Sequence, residues 1–242
     1  MEMDGKTAVI TGGAGGIGGG TARMFAGRGA KSIWLADIDD VNGEKLAEEL
    51  REFCACEYRH VDVTSEEAVL NFFEGIGSSL DVMFNCAGIT SVKGLMETDA
   101  ALWNRIMGVN VTSAFLFSRE AMRIMSAQKS GCIVNVSSIS AYVGGIRTSP
   151  AYAASKAAII GLTRALAKYG APVGVRVNAV VPGLVDTDMT RAKDFVYSTS
   201  EVPLGYIAKT SDIAGAVLFL AGEAGNYITG QCLNINGGMY FA

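Results

Sequence analysis

The sequence predicts an α/β fold in which a doubly wound parallel sheet carries helices on both faces. Three observations predict it. Short apolar, β-branched runs alternate with longer stretches of helical period along the whole chain. Seven of the ten residues in "TGGAGGIGGG", Thr11 to Gly20, are glycine, and they join the first such run to the first helical stretch. Half of the 242 residues are hydrophobic, enough for one substantial core, so a single domain over residues 1–242 is expected.

The elements follow in order. "TAVIT" (7–11) reads as a buried strand, and after the glycines Ala22, Phe25 and Ala26 fall at helical spacing. Only ten residues precede Thr11, too few for a domain, which removes the linker reading. Further strands centre on "SIWLAD" (32–37), "YRHVD" (58–62), "DVMFNCA" (81–87), "CIVNVSS" (132–138), "VRVNAV" (175–180) and "QCLNING" (231–237). Thr64 with Glu67 reads as a capping box, Pro150 suits a first helical turn, and Ser211-Asp212 opens "IAGAVLFLAG". The connection from Pro182 to Tyr206 has no clear period, and residues 182–206 are expected to form a substrate lid.

Composition narrows the function classes. Lysine and arginine total 20 against 24 acids, a net charge of −4, with no basic run to neutralise a phosphate backbone, so nucleic acid is not an expected partner. No apolar stretch approaches a membrane span and "MEMDGK" lacks a signal peptide's core, so a cytoplasmic protein without a membrane partner is expected. Cys54, Cys56, Cys86, Cys132 and Cys232 are odd in number and scattered, which reads as reduced thiols. Alternation would put Cys54, Cys56 and His60 on one face of a strand, but no second ligand pair stands nearby, and no metal is expected.

The glycines have a chemical use. A pyrophosphate can approach backbone N–H groups at a helix N-terminus only where no Cβ intervenes, and the helix dipole favours its charge. The run parses as G-x-G-x-x-G at Gly13, Gly15 and Gly18, or as T-G-x-x-x-G-x-G at Thr11, Gly12, Gly16 and Gly18. Asp37 stands nineteen residues beyond Gly18, at the end of the second strand, where a carboxylate accepts from adenosine ribose hydroxyls and repels a 2′-phosphate. NAD, rather than NADP, is therefore the expected cofactor. The competing reading makes Asp37 a helix cap, a task that Asp39 or Asp40 could equally perform.

Downstream, "SPAYAASKAA" sets Tyr152 and Lys156 four apart on one helical face, so an ammonium can lie near a phenol. A nearby cation favours the phenolate, which would let Tyr152 pass a proton to or from an alcohol oxygen at working pH.

Thr11 to Gly18, "NCAG" (85–88), Asn110 in "NVTSAF", Ser138 in "VNVSS", "YAASK" (152–156) and "PGLVDT" (182–187) together resemble the short-chain dehydrogenase/reductase family, in family order and across nearly the whole chain. The resemblance implies a Rossmann fold with a seven-stranded parallel sheet in order 3-2-1-4-5-6-7, a nicotinamide cofactor and commonly a homotetramer. It implies Tyr152 as general acid/base, Lys156 as its activator and ribose ligand, Ser138 as the hydroxyl that orients the substrate oxygen, and Asn110 as organiser of a relay water. It further implies cofactor contacts from Thr11, Gly12, Gly16, Ile17, Gly18, Asp37, Asp62, Val63, Asn85, Ala87 and Gly88, and from Tyr152, Lys156, Pro182, Gly183, Val185 and Thr187. The bland alternatives are a strand cap for Ser138, a helix-kink partner for Asn110 and a loop brace for Thr187.

The chain departs from the family pattern at Cys86, Ser113 and Asn236, where asparagine, glycine and aspartate are frequent. Fourteen positions separate Ser138 from Tyr152, where thirteen is most familiar, so Ser140 stands as a lesser candidate hydroxyl. The expected activity is NAD(H)-dependent interconversion of a secondary alcohol and a ketone, on a small molecule in a pocket lined by Val92, Tyr142, Val143, Ile146, Met189, Phe195, Val196 and Tyr197, with Thr90, Ser91 and Ser140 as polar groups. The overall layout also resembles 3-oxoacyl-acyl-carrier-protein reductases, which usually take NADPH, so Asp37 counts against them. A non-enzymatic dinucleotide-binding regulator or scaffold is the remaining alternative. Apolar residues between Ala100 and Met125 and between Pro150 and Tyr169 suggest that those helices also meet a partner subunit.

Overall fold

The computed structural model describes residues 2–145, 148–191 and 198–241. Its strands are β1 (Thr7–Thr11), β2 (Ser32–Asp37), β3 (Ala55–His60), β4 (Val82–Asn85), β5 (Gly131–Val136), β6 (Val175–Pro182) and β7 (Cys232–Ile235). Its α-helices are α1 (Gly16–Gly27), α2 (Asp40–Leu50), α3 (Glu66–Glu74), α4 (Ala100–Met107), α5 (Ser113–Gln128), α6 (Ser140–Val143), α7 (Pro150–Gly170), α8 (Asp188–Arg191) and α9 (Thr210–Ala221). All seven strands are parallel, in the order β3-β2-β1-β4-β5-β6-β7. The chain reverses its direction of winding between β1 and β4, which opens a crevice at the carboxyl ends of the strands.

Both sheet faces are apolar because helices cover both. The pleat sends Ala8, Ile10, Phe84 and Val134 to one side, where they pack with Phe25 of α1, Leu46 of α2 and Val217 of α9. It sends Val9, Met83 and Ile133 to the other, against Phe72 of α3 and Phe117 and Met125 of α5.

Three local expectations need correction. β3 begins and ends earlier than "YRHVD", because Ala55 pairs with Ser32 and His60 with Asp37, where β2 ends. Ser65, not Thr64, caps α3 by accepting from Ala68 N at 3.2 Å, since the Thr64 hydroxyl is committed to Asp62 Oδ1 at 2.7 Å. Cys54 lies before β3; Cys56 is buried and its thiol is pushed up to about 12 by burial, while His60 is exposed at the far end beside Asp40. Among the described residues no cluster of His, Cys, Asp and Glu has the number of ligands a metal needs, and no helix is long and apolar enough to cross a membrane.

Within the connection 182–206 the described parts hold α8 and a 3₁₀ turn, Thr199–Glu201. Val185 bridges Ala208, and Asp186 N donates to Ala208 O at 2.8 Å, so the segment leaves and rejoins the body at one place.

Candidate active site

A cleft of about 930 Å³ runs along the carboxyl ends of the strands from Asp37 to Tyr152. Its floor is the turn between β1 and α1. Gly12 has φ +64°, and a Cβ there would come within 2.9 Å of the Ala87 backbone. A Cβ on Gly18 would collide with Gly12 O, so this glycine lets α1 start tight against the turn. Gly15, the N-cap of α1, offers no side-chain cap, and space beyond its Cα is open. The helix thus presents uncapped N–H groups and its positive dipole end to an open cleft, which fits a dinucleotide pyrophosphate. Across the cleft Thr187 Cγ2 lies 3.7 Å from where a Gly16 Cβ would stand.

At one end Asp37 Oδ2 accepts from Ala14 N at 3.0 Å and Oδ1 from Ile38 N at 2.7 Å, which fixes the carboxylate at the rim. It does not cap α2; Asp39 does, through Asn42 N at 3.1 Å. Asp39 and Asn42 also line the cleft, and among its described lining residues Lys156 is the one cation.

At the other end α7 starts at Pro150 behind the Ser149 cap, which sets the phase that brings Tyr152 and Lys156 to the cleft. Ser137 Oγ donates to Lys156 O at 2.7 Å and Lys156 Nζ donates to Val136 O at 2.9 Å, so α7 is fastened to the end of β5 twice. Nζ lies 5.7 Å from the Tyr152 ring centroid. Burial brings the Lys156 ammonium down to about 8. Ser138 and Ser140 both line the cleft, and Ser138 Oγ accepts from Ser140 N at 3.1 Å.

Asn110 sits behind this wall, 2 % exposed, in a π-helical turn, Gly108–Thr112, that separates α4 from α5. Its Nδ2 donates to Ile89 O at 3.0 Å and Ser155 Oγ at 2.9 Å, and its Oδ1 accepts from Ile89 N at 2.8 Å. Gly88 leaves the gap between them open: a Cβ there would stand 3.4 Å from Lys156 Nζ and 3.5 Å from Asn110 Oδ1. The departures have local causes. Ser113 Oγ donates to Val109 O within the π turn, and Asn236 donates to Tyr240 O while accepting from Gly238 N, a pairing that needs an amide. Cys86 forms part of the cleft wall.

Thus Gly12, Gly16, Ile17, Asp37, Gly88, Ser138, Tyr152, Lys156, Pro182, Gly183, Val185 and Thr187 converge on one cleft. Others expected there do not line it. Thr11 is buried, its hydroxyl accepting from Cys86 N and Ala87 N at 3.1 Å each, and so ties β1 to the turn after β4. Val63 belongs to the core beside α3, and Asp62 accepts from Thr64. Asn85 is buried in a polar ladder, donating to Ser118 Oγ at 2.9 Å and Asn135 Oδ1 at 2.8 Å, with Asn135 donating to Thr163 at 2.9 Å. Of the expected pocket residues, Val143, Met189, Thr90 and Ser140 line the cleft, and Ser91 does not. Tyr142 stacks on Tyr240 instead, with centroids 4.6 Å apart, and Val92 is exposed outside the cleft. Ile146, Phe195, Val196 and Tyr197 lie outside the described residues. Met239 and Glu201 line the cleft unannounced; the Gly237-Gly238 pair that turns Met239 inward is the one signal the sequence carried.

A family model described as enoyl-(acyl carrier protein) reductase matches residues 12–240. The chain belongs to the short-chain dehydrogenase/reductase family. Members of this family with which it can be compared include the 3-oxoacyl-[acyl-carrier-protein] reductase FabG of Vibrio cholerae, 38% identical and matched over 99% of each chain. A putative NAD(P)-dependent gluconate 5-dehydrogenase from Beutenbergia cavernae, solved with NADP bound at low occupancy, superposes with a TM-score of 0.90 at 34% identity over 98% of each chain. A 3-oxoacyl-[acyl-carrier protein] reductase from Brucella melitensis with bound NAD superposes at 0.92, with 28% identity over 100% of this chain and 93% of that one. As a short-chain dehydrogenase/reductase the protein is an oxidoreductase acting on CH–OH groups of a small-molecule substrate, on a dinucleotide-binding fold.

Proposed function

We propose that this short-chain dehydrogenase/reductase is NAD(H)-dependent and interconverts a secondary alcohol and a ketone, with Tyr152 as general acid/base. The observation that carries the cofactor choice is Asp37, held at the cleft rim by Ala14 N and Ile38 N, with Asp39 beside it and no arginine among the described lining residues. A 2′-phosphate there meets like charge and lacks the guanidinium that usually receives it, whereas ribose hydroxyls find an acceptor.

A bound nicotinamide dinucleotide supplies or accepts hydride at the substrate carbon. Gly12, Gly16, Ile17 and the α1 N-terminus would hold its phosphates, and Pro182, Gly183, Val185 and Thr187 would bind its nicotinamide end. Thr11, Gly18 and Asn85 shape that cradle from behind, and Asp62, Val63 and Ala87 act through the turns they brace. Tyr152 gives its proton to the substrate oxygen in reduction and takes it back in oxidation, Ser138 donates to the same oxygen, and Lys156 keeps a positive charge beside the phenol as the proton leaves. Asn110 holds Ile89 and Ser155 in register and lines the route by which a water reaches Lys156. Ser138 Oγ accepts from Ser140 N, which fixes its position and leaves its proton to donate to the substrate oxygen, and we take Ser138 rather than Ser140 as the catalytic hydroxyl.

The similarity to FabG over 99% of the chain favours a second reading, reduction of a 3-oxoacyl thioester on acyl carrier protein. Parallel fluorescence titrations with NADH and NADPH separate the two: tighter NADH binding supports the first, and tighter NADPH binding the second. Trp103 and Phe115, two-fifths exposed on α4 and α5, and Tyr169, 71% exposed on α7, support assembly, and we take the unit to be a homotetramer. Five unpaired cysteines suit a reducing cytoplasm.

A further inference from the structure

Asp37, Asp39 and Asp40 put three carboxylates within four residues, at the end of β2 and the start of α2. Such close like charges repel, yet only Asp37 and Asp39 line the cleft, while Asp40 is drawn back to β3. The group that draws it back is Tyr58. Its hydroxyl lies 2.7 Å from Asp40 Oδ1 and 3.0 Å from Asp37 O, both acceptors, so its one proton serves the first turn of α2 and the last carbonyl of β2 together. His60 Nδ1 stands 2.9 Å from the same Asp40 oxygen. The register sets this up: Leu35 pairs with Tyr58 and Asp37 with His60, two positions apart and so on one face of β3. The Tyr58 ring is seated against α2 at Gly43, where any Cβ would collide with it; a glycine inside a helix costs about 1 kcal/mol relative to alanine, and here it makes room for the ring. The Tyr58 bond, and after it His60, holds the Asp40 carboxyl below its usual range, and burial together with that carboxylate pushes the Tyr58 phenol up, so the phenol stays a donor.

We propose that Tyr58 is a positioning residue for cofactor choice: by tying Asp40 and the Asp37 carbonyl to β3, its hydroxyl holds the turn between β2 and α2 in the arrangement that leaves the Asp37 and Asp39 carboxylates at the cleft. The inference rests on the proposed NAD(H) reading. Tyr58 does not line the cleft and acts through the acids that do. A site discriminates sharply only when its charged groups are held in place by their own partners. In a loosened turn the acids move off the ribose, so NADH loses an acceptor while NADPH loses a repulsion, and the two affinities shift unequally. A tyrosine that served packing alone would leave their ratio unchanged.

The test is fluorescence titration of Tyr58→Phe, which keeps the ring on Gly43 and removes the hydroxyl, with NADH and with NADPH. The Kd for NADH is expected to rise about fivefold, the equivalent of one hydrogen bond, while that for NADPH stays level or falls, so the preference for NADH shrinks about fivefold or more. Two substitutions at the exposed Asp40 separate the bond from the charge and carry the test on folded protein even where Tyr58→Phe loses stability. Asp40→Asn keeps an acceptor for Tyr58 and is expected to stay within about twofold of the wild-type preference; Asp40→Ala leaves Tyr58 nothing on α2 to hold and is expected to match Tyr58→Phe. A preference unmoved in Tyr58→Phe, or an equal loss in Asp40→Asn and Asp40→Ala, overturns this inference and leaves the NAD(H) reading intact. Wild-type protein that binds NADPH more tightly than NADH overturns both.

Discussion

Lys156 Nζ lies 5.7 Å from the ring centroid of Tyr152, one turn away along α7, and is held there by Val136 O at 2.9 Å. The contact joins the ammonium to the backbone of β5, so the phenol and the cation share a rigid frame. Removing only the phenol oxygen tests the proton transfer. Tyr152→Phe is expected to lower kcat for ketone reduction by about 10²–10⁴-fold, the usual contribution of a positioned acid, while NADH still quenches fluorescence on binding. Undiminished turnover in this variant would falsify the proposed role of Tyr152.

The same lysine gives the fold a pH dependence. Its ammonium titrates at about 8 in the folded protein because it is buried, and near 10.4 in an unfolded chain. Between those values the unfolded state binds a proton that the native state does not, so stability from this group rises with pH from about 8 to about 10. The difference amounts to ~3 kcal/mol. Burial raises the Cys56 thiol to about 12, and that acts oppositely above the unfolded thiol value near 8.5, where stability falls with pH. Subtraction isolates the lysine: the stability of wild-type protein minus that of Lys156→Met, from urea unfolding at a series of pH values, is expected to climb across this window. A flat difference would show that Lys156 titrates normally.

The fold was legible because its signals are local. β-branched runs, the glycines after β1 and Pro150 all mark elements that the tertiary structure keeps. The site was legible where chemistry fixes spacing, as for Tyr152 and Lys156 on one helical face. It was less legible where a side chain's partners come from distant strands. Asn85 reads as a cofactor residue, yet its register partner is Asn135, fifty positions away, and that pairing draws its amide into the sheet. Thr64 likewise reads as a cap until Asp62 claims its hydroxyl. Met239 reaches the cleft through the Gly237-Gly238 turn after β7, which no periodicity reports.

That ladder carries its own prediction. Asn135 is fully buried, accepts from Asn85 and donates to Thr163, linking β4, β5 and α7 directly beneath Val136 and the Lys156 contact. Asn135→Ala removes one of the two bonds the Asn85 amide donates and the donor to Thr163, and leaves a small void. A loss of about 2–4 kcal/mol in urea unfolding is expected, together with weaker turnover, since β5 ends in the Val136 carbonyl and leads into Ser138. A variant as stable as wild type would mean that Asn85 and Thr163 find new partners at no cost.

Asp37 offers the most direct control of cofactor choice. Its two oxygens accept from Ala14 N and Ile38 N, so an alanine there would disturb the glycine turn as well as remove charge. Asp37→Asn keeps an acceptor oxygen and nearly the same shape while cancelling the charge. The expected result is a fall of about tenfold or more in the NADH-over-NADPH preference, from relief of repulsion at the 2′-phosphate together with a weaker bond to the ribose hydroxyls. Fluorescence titration with both nucleotides reads it. Asp39 and Asp40 remain nearby in the variant, so the preference is expected to shrink without reversing; full reversal would assign the discrimination to Asp37 alone, and an unmoved ratio would assign it to groups other than Asp37.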